Sequence, residues 1–196
     1  MVDQSELPLL THSHASLFGQ EPLTHGTLSL SFRGLKFMPS IRPFHPNDEA
    51  QLADLYEATV RRWAPALYSA EQVEAWATAA RDPERLHAML TGGQTFVAVD
   101  ALDQPIGFSG VEPDGRIASL YVAANSTRQG IGSSLLRHVI HHAAQAKLPP
   151  LWSEASFLSR ALFERHNFVV EHAEHIDFNG VEFKRWIVRQ QFDPAN

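Results

Sequence analysis

Residues 120–136 read LYVAANSTRQGIGSSLL. A strand ending in Leu-Tyr-Val runs into a loop holding Gly130 and Gly132. An apolar-periodic helix of roughly 15 residues follows, marked by Leu135, Leu136, Val139, Ile140 and Ala143. A glycine-rich turn at a helix N-terminus leaves main-chain N–H groups without partners and lets a ligand approach the main chain. It also sits at the positive end of the helix dipole, so it suits anions, phosphate above all. By itself the G-x-G pattern describes an ordinary tight turn equally well. Two phosphate motifs are excluded. A P-loop needs lysine directly after its last glycine, where this chain has Ser133-Ser134. A dinucleotide fingerprint needs a small residue at the place of Leu135.

The 196 residues suffice for one domain with a real core, and 44% of them are apolar. No apolar run approaches the length of a membrane span. Cysteine is absent, which removes disulfides, thiolate nucleophiles and cysteine-ligated zinc. The formal charge of −6 argues against nucleic acid as the main partner. These features fit a cytoplasmic enzyme or small-molecule binder without a membrane partner. Residues 1–37 show neither helical nor strand period and carry no signal-peptide pattern. A poorly ordered extension is expected there, and Met38 is an alternative start of the native chain. The patterned domain spans 38–190, and 191–196 form a tail.

"SIRPF" (40–44) reads as the first strand, and Asn47 as the cap of a helix whose face is Leu52, Leu55, Tyr56 and Val60. Ser69 and Gln72 form a capping-box pattern, with Val73, Trp76, Ala77 and Ala80 on one side. Asp82-Pro83 starts a third helix, stopped by Gly92-Gly93. Residues 95–99, 106–111 and 117–122 read as an antiparallel meander. "LWSEA" (151–155) is a strand, 158–166 a helix, and Asn167 a left-handed cap. The last two strands join through Asn179-Gly180, a type I′ hairpin signal. The crossover from 117 to 155 places its two strands parallel. The expected class is α/β in the α+β sense: a mixed, mostly antiparallel sheet with one parallel pair and helices on both faces.

The run 120–136 resembles the acyl-CoA-binding motif of the GCN5-related N-acetyltransferase (GNAT) superfamily, usually Arg/Gln-x-x-Gly-x-Gly/Ala after such a strand. Thr127 departs from the first position, with Arg128 one place later. "LFERHNFV" (162–169) resembles the family's "LYERxGF", and "IRPFHPNDEAQL" its first strand and helix. "YSAEQVEAWA", "FVAV" and "IGFSGV" resemble a bacterial subgroup of uncharacterised acetyltransferases.

The resemblance implies the acyl-CoA N-acyltransferase fold with a splayed parallel pair, and acetyl-CoA as cosubstrate. It places the pyrophosphate on Arg128, Gln129, Gly130, Ile131, Gly132 and Ser133, mainly on their main chain. Leu120 and Val122 would bond the pantetheine arm like an extra strand. The reaction implied is attack of a primary amine, on a small molecule or a peptide, upon the thioester. A base must take the amine proton, and an acid can serve the thiolate. The family's usual acid is the tyrosine of "LYER"; here it is Phe163. Glu154 is the candidate base. Ser156 stands where relatives contact pantetheine and equally suits a helix cap, and His166 is a candidate acid. Trp63, Tyr68 and Tyr121 are candidate acceptor-side residues. Phe163 makes a non-catalytic acyl-CoA-binding domain the alternative. A homodimer is left open by the resemblance.

The histidines His138, His141 and His142 lack the His-Glu-x-x-His pattern and read as solvated helix residues, so no metal is expected. Eight acids lie between Asp48 and Glu84. They read either as an acidic approach for cationic amines or, more economically, as solvated helix faces.

Overall fold

The computed structural model describes residues 39–191. The expectations for residues 1–37, for Met38 and for 192–196 fall outside the described residues. The elements run β1 (Ser40–Pro43), α1 (Glu49–Trp63), α2 (Ala70–Thr78), α3 (Pro83–Thr91), β2 (Gln94–Val99), β3 (Pro105–Val111), β4 (Ile117–Val122), α4 (Ile131–Ala146), β5 (Trp152–Ala155), α5 (Arg160–Glu164), β6 (Phe168–Phe178) and β7 (Val181–Gln190).

Local chemistry sets most boundaries. Ser69 and Gln72 exchange side-chain to main-chain bonds at the start of α2. Asp82 accepts the Arg85 N–H at the start of α3, with Pro83 in the first turn, where a missing N–H costs nothing. The start of α1 differs from the expectation. Pro46–Asp48 form a single 3₁₀ turn capped by the His45 ring, so Asn47 is not the cap. The Asp48 carboxylate is buried and takes two bonds from Arg42, at 2.8 and 2.9 Å. It also accepts the His45 N–H at 2.8 Å. α5 is shorter than 158–166 because serine hydroxyls replace its first turn. Ser156 Oγ accepts the N–H groups of Leu158 and Ser159, and Ser159 Oγ accepts the Ser156 N–H. Asn167 (φ 63°) then reverses the chain, and Asn179 (φ 55°) and Gly180 (φ 79°) form the left-handed pair that a type I′ hairpin requires.

The strands build two antiparallel sheets, ordered β1-β2-β3-β4 and β5-β7-β6. They meet at one parallel bridge, between Arg116 and Trp152. Two cores cover opposite faces. α1, α2 and α3 bury Leu52, Tyr56, Val60 and Leu86 against Val97, Phe108 and Phe183. α4 and α5 bury Leu135, Leu136, Val139 and Phe163 against Phe96, Ile117, Trp186 and Val188. Each such aliphatic side chain contributes about 1.5–3 kcal/mol relative to exposure. No described helix is long and apolar enough to cross a membrane.

Candidate active site

β4 and β5 run parallel but touch only at their first residues. The Trp152 N–H donates to the Gly115 carbonyl at 3.1 Å, and Ser153 Oγ donates to the Ile117 carbonyl at 2.8 Å. Beyond this bridge β5 pairs with β7 and β4 with β3, so the two strands diverge. The β3–β4 register slips by one residue: Gly110 faces Ser119 and Val111 faces Ile117. Ala118 is the extra residue of this bulge and has no ladder partner.

Further along, the Ala123 N–H donates to Ile106 on the β3 side. Tyr121, two residues earlier, faces the same way, so Leu120 and Val122 direct their main-chain groups to the open edge. The Val122 carbonyl there is taken by Thr59 Oγ1 at 2.9 Å. Leu120 and the Val122 N–H therefore remain as edge groups.

At the end of β4 the chain turns through two left-handed residues, Arg128 (φ 63°) and Gly130 (φ 87°). Gly130 is the N-cap of the 16-residue α4, without a side-chain cap. The first N–H in the helix with a protein acceptor is that of Ser134, bonded to the Gly130 carbonyl at 2.9 Å. Among the described residues, the N–H groups from Arg128 to Ser133 have no protein acceptor. They lie at the positive end of the α4 dipole, equivalent to about half a charge. A Cβ on Gly130 would meet nothing within 4 Å, whereas one on Gly132 would sit 3.0 Å from Leu162 Cδ2. The first glycine thus serves a turn that other side chains strain, and the second lets α4 approach α5. Arg128 is exposed, with no carboxylate partner among the described residues.

Two cavities open from the split. One, of about 530 Å³, is lined by Thr59, Leu120, Val122, Arg128, Leu162 and Phe163, among others. The other, of about 420 Å³, lies among Tyr56, Tyr68, Arg85, Arg116, Phe178 and Arg185. Trp76, Ala118, Tyr121, Glu154 and Ser156 line both, so the cavities meet there. Arg116 Nε contacts both Glu154 oxygens, at 3.1 and 3.0 Å, and Arg185 stands 3.7 Å from one of them. The Tyr121 hydroxyl accepts the Trp76 indole N–H at 3.2 Å. Burial pushes the Tyr121 phenol well above the ordinary tyrosine range, which keeps it protonated at neutral pH.

The other sequence candidates fall as follows. Tyr68 lines the second cavity, and its hydroxyl accepts the Phe157 N–H at 3.0 Å. Ser156 reaches the junction while its hydroxyl caps the turn before α5. Trp63 lines the first cavity, beside Thr59 and Val122, and not the cavity that Tyr68 lines. Its buried indole N–H has no protein partner. His166 lines neither cavity. Its protonation is disfavoured by burial and by the nearby Arg137 and Arg165 charges.

His138 and His142 are not simply solvated: their rings meet the edge of Phe96, at 4.5 and 5.2 Å between centroids. None of the eight acids between Asp48 and Glu84 lines either of these two cavities. Asp48 is buried against Arg42, while Asp54, Glu57 and Glu74 pair with Arg61 and Arg81 on the outer helix faces. Arg85, Arg116 and Ala118 carry no sequence signal of their own, and Trp76 reads there only as part of a helix face. They come from α3, the β3–β4 turn, the bulge and α2, and only the fold joins them.

This arrangement has a counterpart among known proteins. Residues 65–188 match the family model described as an acetyltransferase (GNAT) domain. The chain belongs to the GNAT family. It is 31% identical over 150 residues to the uncharacterised N-acetyltransferase YafP of Escherichia coli, covering 76% of this chain and 93% of that protein. A GCN5-related N-acetyltransferase structure from Rhodopseudomonas palustris superposes with a TM-score of 0.75 at 26% identity, covering 79% of this chain and 96% of that one. The PaiA N-acetyltransferase of Thermoplasma acidophilum, solved with coenzyme A, shares the fold at 17% identity and a TM-score of 0.63, covering 79% and 99%.

Proposed function

We propose that this GNAT protein transfers an acetyl group from acetyl-CoA to a primary amine of a small molecule or peptide. The observation that carries the reading is the run of N–H groups from Arg128 to Ser133 without protein acceptors, beside an open strand edge. Those groups fit a pyrophosphate: they are successive donors, at a helix N-terminus, over a glycine whose missing Cβ leaves open space. Arg128 adds a positive charge, and Leu120 with the Val122 N–H offers main-chain bonds to a pantetheine arm. Acetyl-CoA, when bound, supplies an activated thioester carbonyl.

The remaining roles belong to the junction. The amine reaches it through the 420 Å³ cavity, and Glu154 is the carboxylate present where the two cavities meet. It accepts the amine proton, directly or through water, while Arg116 and Arg185 hold it in place. Phe163, buried against Phe168, offers no proton to the departing thiolate. The protonated Tyr121 hydroxyl stands at the junction as a neutral donor, and the modest basicity of a thiolate lets it leave without a stronger acid.

Thiol release on mixing the protein with acetyl-CoA and an amine panel tests the reading. Turnover is expected with at least one amine. Tight binding of acetyl-CoA with no turnover across a broad panel would favour a non-catalytic acyl-CoA-binding domain. Glu154→Gln should lower kcat about 10²–10⁴-fold with coenzyme affinity preserved. An unchanged pH–rate profile in that variant would remove Glu154 from the base role.

A further inference from the structure

The acceptor-side cavity has a composition that the acid-rich helices around it do not suggest. Its walls are aromatic: Tyr56, Tyr68, Trp76, Phe178 and Phe183. Its charged lining is four basic residues, Arg85, Arg116, Lys184 and Arg185, against two acids, Glu112 and Glu154.

Two of the four cations have carboxylate partners, and a third is turned away. Arg116 pairs with Glu112 and Glu154. Arg185 Nε bonds Glu174 at 2.6 Å, and its Nη1 lies 3.7 Å from Glu154. The Lys184 ammonium sits over the Trp186 ring, 5.5 Å from its centroid. Trp186 belongs to the opposite core, so by strand alternation that charge faces away from Phe183 and Arg185. Arg85 remains. Its guanidinium carbon sits over the Phe178 ring, 4.1 Å from the centroid. Among the described residues it has no carboxylate partner. Arg85 lines this cavity together with Tyr56 and Tyr121, and its charge opposes the rise that burial gives both phenols.

We infer that the acceptor is a small amino carboxylate with an apolar or aromatic side chain, its carboxylate held by Arg85 and its side chain by the aromatic walls. This rests on the acetyltransferase reading and adds the substrate class to it. A guanidinium presents a fork that matches a carboxylate, and among the described residues no carboxylate takes the N–H groups of Arg85. A single guanidinium fork matches a monoanion better than a phosphate dianion. A cavity of about 420 Å³ suits a molecule of amino-acid size. The same charge disfavours plain cationic amines such as polyamines, because like charges repel at the approach.

The test uses the full chain with acetyl-CoA and matched acceptors: phenylalanine, leucine and methionine, each beside its C-terminal amide. Thiol release is read for wild type and for Arg85→Gln, with Arg85→Lys as a charge-conserving control. Calorimetric binding of the corresponding N-acetyl amino acids and their amides provides a readout independent of turnover. The expected result is a kcat/KM at least tenfold higher for a carboxylate than for its amide, through KM. Arg85→Gln should collapse that ratio toward one, and Arg85→Lys should restore part of it.

Amides or spermidine used as well as, or better than, every carboxylate would overturn the inference while leaving the transferase reading intact. So would an Arg85→Gln variant that keeps the carboxylate preference. If no amine turns over yet N-acetyl carboxylates bind tenfold tighter than amides in an Arg85-dependent way, the anion site stands and the transferase reading falls.

Discussion

Replacing Gly130 by aspartate sets backbone strain against charge, and the structure allows the two to be separated. Gly130 adopts φ 87°, so any other residue pays about 1–2 kcal/mol there, least for Asn and Asp. A Cβ at this position meets nothing within 4 Å, and Asp and Asn have the same shape beyond it, so any contact they make is common to both. Gly130→Asn therefore carries the strain and the bulk, and Gly130→Asp adds one negative charge. A carboxylate ~5 Å from one phosphate charge is repelled by about 1–3 kcal/mol at effective dielectrics of ~80 to ~20. Two phosphate charges bring this to about 2–6 kcal/mol, so Asp should bind coenzyme A at least about 30-fold more weakly than Asn. Calorimetric titration at 0.1 M and 1 M salt reads the difference. The gap should shrink at high salt, as the screening length falls from about 10 to 3 Å. Equal affinities for the two variants at low salt would refute the assignment of the pyrophosphate to this turn.

The remaining predictions concern what holds the split in place. The Arg42 guanidinium bonded to Asp48 holds that carboxyl below the usual range. A carboxylate depressed in the folded state stabilises above its unfolded value of about 3.9, and this contribution is lost as pH falls through the folded value. Asp48→Asn should cost about 1.5–3 kcal/mol at pH 7 by urea unfolding, with its gap from wild type narrowing in acid; a pH-independent gap would contradict this. Ser153→Ala removes the buried bond to the Ile117 carbonyl that ties β5 to β4. It should lower stability by about 1 kcal/mol and raise the KM for acetyl-CoA, and an unchanged KM would show that this bond does not set the width of the split.

The glycine loop, the order of elements and both α2 and α3 caps were legible because each depends on residues a few positions apart. Ser69 with Gln72, Asp82 with Pro83, and Asn179 with Gly180 carry their geometry locally. The start of α1 was not, because Asp48 is claimed by Arg42 across the 3₁₀ turn and His45 caps in place of Asn47. α5 was overestimated because serine hydroxyls compete with helical bonds.

The cavity proposed for the acceptor was least legible. Its charge comes from Arg85, Arg116 and Arg185, which are far apart in sequence, while the conspicuous acids of α1 and α2 face elsewhere. The same holds for Glu154: its residue type and strand were readable, its clamp by Arg116 was not. The resemblance points to the first two helices for the acceptor pocket, which covers both Trp63 and Tyr68, yet the turn between them sends the two rings to different cavities.

The most direct measurement follows the main-chain amides themselves. A ¹H–¹⁵N titration of the full chain with coenzyme A should shift the N–H signals from Arg128 to Ser133 downfield, saturably and ahead of the rest. Pantetheine, which lacks the pyrophosphate, should leave those six signals in place. Shifts confined to other elements, or none with coenzyme A at millimolar concentration, would contradict the account.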